Sequence, residues 1–158
     1  MNKINEILKS STFISNMKKL EELEKDREFC THGLNHSLDV ARIAYIKSLE
    51  DNLGFSKDVI YAVALLHDIG RVLQYEKGIP HHEGSVILSK KILKETSYED
   101  EEIELIIGAI ENHRNNDELN SFNKFICECD KLSRNCFICK SYKDCHWDSN
   151  KKNDLINY

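Results

Sequence analysis

Proline occurs once, at Pro80, and glycine only six times in 158 residues. So few breakers leave little room for a turn-rich β architecture, and no stretch shows the two-residue alternation of a half-buried strand. Long apolar runs are missing as well. None approaches the roughly 18 residues that a membrane-spanning helix requires, which argues against a membrane-spanning role. The N-terminal MNKINEILKSSTFISNMKKL breaks its apolar residues with charges at helical spacing. It therefore lacks the unbroken apolar stretch of a secretory signal, and a cytoplasmic location is expected. Positive charge is not in excess either: a net charge of −5 argues against non-specific nucleic-acid binding, while leaving room for a local basic pocket that holds a phosphate.

The remaining composition, 41% apolar and 31% charged, is that of a globular chain of one-domain size, long enough to bury a core without disulfides. Helical periodicity predicts an all-α fold. Helices are expected over about 2–10 and 12–27, the second with Phe13, Met17, Leu20 and Leu23 as its apolar stripe, bracing the core. A third runs over about 33–51, and Ser56 with Lys57 and Asp58 opens a fourth, VIYAVALLHDIGRVL, which Gly70 ends or bends. The loop at Lys77–Pro80 leads to a fifth helix over 81–95. Ser97 with Asp100 resembles a capping box that opens a sixth, EEIELIIGAIENH. Asn and Asp at 115–120 mark a loop before a seventh helix, SFNKFICECDKLSR. This gives a single helical domain over 1–135 and a tail, 136–158, without clear period.

On these helices titratable residues fall on apolar faces, where a charged group is costly unless it is paired or metal-bound. His36 shares a stripe with Val40, Ile43 and Ala44. His67 follows Val59, Val63 and Leu66; His113 lines up with Ile103, Ile106 and Ile110; Asp130 shares a face with Phe122 and Ile126. Any one of these could be a hydrogen-bonded core residue. Taken together they read as a mixed imidazole and carboxylate set, which suits Fe, Mn, Co, Zn or Mg.

His36, then His67-Asp68-Ile69-Gly70, then Asp130 resembles the signature of the HD superfamily of metal-dependent phosphohydrolases, over roughly residues 28–135. The resemblance implies an HD-type helical bundle in which His36, His67, Asp68 and Asp130 bind a first divalent metal. Some members of the superfamily hold a second ion through further histidines, bridged by the Asp of the pair. Here His81-His82-Glu83-Gly84-Ser85 and Ala109-Ile110-Glu111-Asn112-His113-Arg114 resemble the places where those histidines stand. His81 is favoured over His82; the alternative is that both are surface residues at a helix start, so one ion or two remain open.

The chemistry expected is hydrolysis of a phosphoester by metal-activated water, with Asp68 able to orient that water or accept its proton. Arg71, Arg114 and Lys131 are cations near the expected ligands and candidates to hold a phosphate, at least one of them pointing inward. His32, four residues before His36, would share its face on a continuous helix, as a partner of the site or as an N-terminal cap. Arg27, Phe29 and Cys30 precede it on a loop beside the site.

Cys129, Cys136, Cys139, Cys145 and His146 cluster near the C-terminus, and Cys136-x-x-Cys139 has the spacing of a thiolate pair on zinc. A separate structural zinc would use Cys136, Cys139 and Cys145 with Cys129 or His146; the alternative reads them as ordinary buried thiols, and Trp147 as docking the tail. The expected substrate is a nucleotide or similar small phosphoester. A non-catalytic HD-type sensor of metal or nucleotide is the competing reading, and a homodimer through apolar residues of the first helices is open. A purely structural bundle would have to bury several titratable groups without a metal.

Overall fold

The computed structural model describes residues 2–113, 121–156 and 158. Among them the chain forms eight α-helices and no strand: α1 Asn2–Lys9, α2 Ser11–Leu23, α3 Leu34–Glu50, α4 Lys57–Leu66, α5 Arg71–Lys77, α6 His81–Leu93, α7 Asp100–Asn112 and α8 Ser121–Leu132. Two short 3-10 turns, Cys136–Ile138 and Ser149–Lys151, follow. Among the described residues no helix is long and apolar enough to cross a membrane.

The centre of the bundle is α4. Its residues Val59, Ile60 and Ala62 through Leu66 are all buried, because the helix is apolar on every side and is covered by α1, α3 and α7. Each large apolar side chain so enclosed contributes about 1.5–3 kcal/mol. Around it one continuous core gathers Ile4 and Ile7 of α1, Phe13, Met17 and Leu20 of α2, Ile92 and Leu93 of α6, Ile106 and Ile110 of α7, and Phe122, Phe125 and Ile126 of α8. Phe55, between α3 and α4, packs edge-on against Phe122 at 4.8 Å between ring centres. Leu23, expected in the α2 stripe, is 42% exposed, because α2 ends there and the chain leaves the core.

Three boundaries differ from the sequence expectation, the first being the end of α2 at Leu23 in place of residue 27. The apolar run 59–73 is interrupted at Gly70, as expected, but the break begins earlier: α4 stops after Leu66, the chain turns through His67–Gly70 and restarts as α5. At the start of α7 the capping residue is Glu99, whose N–H donates to the Glu102 carboxylate at 2.9 Å, in place of Ser97 with Asp100. Ser97 is engaged elsewhere, its N–H donating to Glu6 Oε2 at 2.6 Å and tying the 94–99 connection to α1. The same Glu102 carboxylate accepts from Lys3 Nζ at 2.6 Å.

After α8 the chain folds back onto the bundle. The Asn153 amide donates to the carbonyls of Lys131, Leu132 and Arg134 at 2.7–3.1 Å, satisfying groups that the end of α8 leaves free. Phe137 N–H in turn donates to the Asn153 carbonyl at 3.1 Å.

Candidate metal centre

The break after α4 creates the centre of the site. His67 still closes the helix, its N–H donating to Val63 O at 2.9 Å, while Asp68 lies in the following turn with its carbonyl accepting from Arg71 N–H at 3.0 Å. Both side chains are buried, at 1% and 5% exposure. They face α3, α6, α7 and α8, which supply His36, His81, His113 and Asp130.

The geometry falls into two groups that share Asp68. In the first, His36 Nε2 lies 3.3 Å from His67 Nε2 and 3.2 Å from Asp130 Oδ1, and His67 Nε2 lies 3.3 Å from Asp68 Oδ2. In the second, His81 Nε2 lies 3.7 Å from Asp68 Oδ1 and 3.1 Å from His113 Nε2. His36, His67 and Asp68, and likewise Asp68, His81 and His113, each bring their ligand atoms within 4.8 Å of one another. The two carboxylate oxygens of Asp68 thus address different sides of the site.

Which ring nitrogen is free follows from the hydrogen bonds. His67 Nδ1 donates to Ala64 O at 2.8 Å, and His113 Nδ1 donates to Ile110 O at 2.5 Å. Ser133 Oγ gives its own proton to Asp130 O at 2.7 Å, so toward His36 Nδ1, 3.2 Å away, it can only accept. Each of these rings therefore commits its proton on Nδ1 and leaves the Nε2 lone pair facing inward. Lone pairs of His36 and His67 at 3.3 Å, beside two carboxylates, form an arrangement that is stable only around a positive charge.

Burial pulls the His67 imidazolium down, but the carboxylates of Asp68 and Asp130 outweigh it and push it up to about 10. Burial raises Asp68 and Asp130, yet the neighbouring histidines, and for Asp68 also Arg71, hold both carboxyls well below the usual range. His113 is driven down to about 4, first by burial and then by the charge on His67. This donor set of imidazole and carboxylate, with the outward Nδ1 of His36, His67 and His113 already hydrogen-bonded, fits a divalent cation.

Of the three cations expected near the phosphate, Arg71 points inward: its Nε donates to Asp68 Oδ1 at 2.8 Å and its side chain is 11% exposed. Lys131 is exposed, and Arg114 lies outside the described residues. His81 is buried, whereas the His82 side chain is 37% exposed. His32 precedes α3 and does not cap it; Gly33 holds that position. Its Nδ1 and backbone N–H both donate to the buried Glu24 carboxylate, at 2.8 and 2.6 Å, and its ring stands edge-on to His36. Tyr75 also donates to Glu24, at 2.9 Å, and accepts from Arg27 at 3.0 Å.

Several supporting residues carry no sequence signal of their own. Ser85 donates to His67 O at 2.6 Å and accepts from Gly70 N–H at 2.9 Å, fastening α6 to the turn. Cys127, whose thiol burial pushes up to about 11, donates to His113 O at 2.6 Å. Cys129 is fully buried in the core, its thiol pushed up to about 12 mainly by burial, and does not line the cavity where Cys136, Cys139 and Cys145 meet. His146 is exposed, its ring set against Trp147.

A family model of the HD domain matches residues 33–135, which include all six candidate metal-binding residues. The chain is 48% identical to an uncharacterized protein of Clostridium beijerinckii, over the full length of both. It is 35% identical over 75 residues to ribonuclease Y 1 of Pediococcus pentosaceus, a match covering 48% of this chain and 14% of that protein. No solved structure matches the chain.

Proposed function

The chain belongs to the HD domain family, and from that premise we propose that it is a metal-dependent phosphohydrolase acting on a nucleotide or a similar small phosphorylated substrate. The observation that carries this reading is the placement of Asp68 between two ligand groups, Oδ2 toward His67 and His36 and Oδ1 toward His81. His36, His67, Asp68 and Asp130 would hold one divalent ion, and Asp68, His81 and His113 a second, drawn from Fe, Mn, Co, Mg or Zn. A divalent cation bound there supplies Lewis-acid activation of water and of the phosphoryl oxygen.

The protein's own groups do the rest. Ser133, Ala64 O and Ile110 O fix the ring tautomers that keep Nε2 of His36, His67 and His113 directed inward. Asp68 would orient the attacking water or accept its proton, and a proton returns to the leaving oxygen as the phosphorus–oxygen ester bond breaks and the alcohol departs. Arg71, held on Asp68 Oδ1, brings a guanidinium to the edge of the site, where it can pair with a phosphate. Lys131 and Arg114 are further candidates for the same role.

The partial likeness to ribonuclease Y 1 favours a phosphodiester among the bonds to be tested. The net charge of −5 favours a small nucleotide over a polyanionic nucleic acid. A cytoplasmic enzyme is the reading that fits a helical chain of this composition, and Ile14 and Leu23, the exposed apolar residues of α2, are where a homodimer contact would form.

The test is elemental analysis of protein purified without chelator, together with a hydrolysis panel of nucleoside mono-, di- and triphosphates, dinucleotides and short RNA. Divalent metal and hydrolysis lost together in Asp68→Ala support the reading. Metal-loaded protein that binds a nucleotide but hydrolyses none of the panel favours the non-catalytic sensor. Failure to bind any of Mn, Fe, Co, Mg or Zn overturns both.

A further inference from the structure

Four of the six cysteines serve neither the core nor the histidine site. Cys127 and Cys129 are buried on α8, whereas Cys30, Cys136, Cys139 and Cys145 all line one cavity of about 320 Å³. Cys30 comes from the loop between α2 and α3; the other three come from the segment after α8. Chain segments far apart in sequence thus deliver thiols to one place.

The two segments are fastened together beside this cavity: Ser141 Oγ donates to Glu28 O at 2.6 Å, and within the α2–α3 loop Arg27 Nε donates to Cys30 O at 2.8 Å. Between Cys136 and Cys139 the backbone turns tightly, Cys139 N–H donating to Cys136 O at 3.1 Å, and Tyr142 N–H closes a second turn on Cys139 O at 3.2 Å.

The tail has little else to order it. Past Ser133 no described residue is buried, and its regular structure is two three-residue turns. Trp147 packs under Arg134, with the guanidinium carbon 4.6 Å from the ring centre. A segment that buries so little apolar surface needs a cross-link, which in small folds is a disulfide or a metal.

We propose that Cys30, Cys136, Cys139 and Cys145 form a four-thiolate site for a thiophilic metal centre, a zinc ion or an iron–sulfur cluster, which staples the tail to the α2–α3 loop. Both centres take four cysteine thiolates, and both require the thiols to be deprotonated on binding. Arg134 and Lys152 line the same cavity and bring positive charge to the thiolates. His36 and Ser133 line it too, so the cavity reaches one candidate ligand of the histidine centre and the residue that holds its ring. The existence of the staple does not depend on what that centre catalyses.

The full chain, purified anaerobically without chelator, is analysed for zinc, iron and acid-labile sulfide, and its visible spectrum is recorded. The expected result is either zinc with no visible absorption, or iron and sulfide with absorption that dithionite bleaches. That metal stays in Asp68→Ala and Cys129→Ser and is lost in Cys30→Ser and Cys136→Ser alike. A second measurement needs no variant: in native wild type, Cys30, Cys136, Cys139 and Cys145 resist alkylation, read by mass spectrometry, until the centre is removed by chelator or oxidant. Wild type that holds neither metal and alkylates at these four thiols at once overturns the proposal, and so does a Cys30→Ser chain that keeps the wild-type metal.

Discussion

Gly70 and Gly84 meet backbone to backbone: a Cβ on Gly84 would stand 2.8 Å from Gly70 O and 3.2 Å from Gly70 Cα. A Cβ on Gly70 would overlap the Ser85 amide and the His81 carbonyl outright. Only two glycines allow α6 to lie this close to the turn that follows α4, which brings His81 within reach of Asp68. Gly84→Ala is therefore expected to displace α6 and cost about 1–3 kcal/mol, as overpacking does. Thermal denaturation should show the loss. Metal analysis should show the His81–His113 group emptied while the His36–His67 group still binds.

His81 and His82 separate the two metal counts. His81→Ala should lower the histidine-site metal from two ions to one, and His82→Ala should leave it unchanged, because only His81 is turned into the site. Equal stoichiometry in both variants and wild type would assign His81 to the core instead. Asp68→Asn should cost both ions and, as a group that also handles a proton, lower turnover by about 10²–10⁴.

Ser133 fixes which nitrogen of His36 faces inward, without itself reaching the metal position. Ser133→Ala should weaken binding of the first ion by about 10- to 100-fold, the usual effect of removing a hydrogen bond behind a ligand. Ser133→Thr, which keeps the hydroxyl, should restore it. Titration with Mn or Co distinguishes this from a fold defect, since circular dichroism of both variants should match wild type.

Glu24 makes a prediction in pH. Burial raises its carboxyl, but the hydrogen bonds and charge of His32, with Tyr75, outweigh that and hold it below its ordinary value of 4.5. Its contribution is therefore complete above 4.5 and is lost as pH falls through the lower folded value. His32 acts in the same direction: burial lowers it from 6.5, so the unfolded chain takes up that proton more readily as the solution acidifies. Melting temperature should fall on the acid side in wild type. Glu24→Gln should melt lower at pH 7, by the equivalent of about 1.5–3 kcal/mol for a buried charged hydrogen-bonding group, with a flatter acid limb.

The all-helical fold and the inward direction of several candidate ligands are readable because each leaves a periodic trace, whereas Asp68 and His81 stand out only through the resemblance to the HD signature. His36, His67, His113 and Asp130 sit at helical spacing from residues that can only be core, so their inward direction follows from the spacing. Ser85, Ser133 and Gly84 leave no such trace, since a small polar residue near a helix end looks the same whether it faces water or bridges two helices. The break after Leu66 was partly hidden because the apolar pattern continues through Ile69 and Val72, both buried; what ends α4 is the approach of α6, a tertiary event. The start of α7 was misplaced for a similar reason, because Glu6 of α1 takes Ser97 away from the cap. Cys30 could have been joined to the later cysteines only by knowing that the α2–α3 loop and the tail meet.

The residues around Asp68 arrive from α3, from the end of α4, from α6, from the end of α7 and from α8, so the first and last candidate ligands, His36 and Asp130, span most of the chain. An ion held there would act as a clasp across that whole length: none of the partly folded forms that lack α8 could bind it fully, and the finished form would gain stability with the logarithm of free metal over its dissociation constant. A chain short of such an ion would then be expected to open to proteolysis more readily, and the amount of protein would itself report the metal supply.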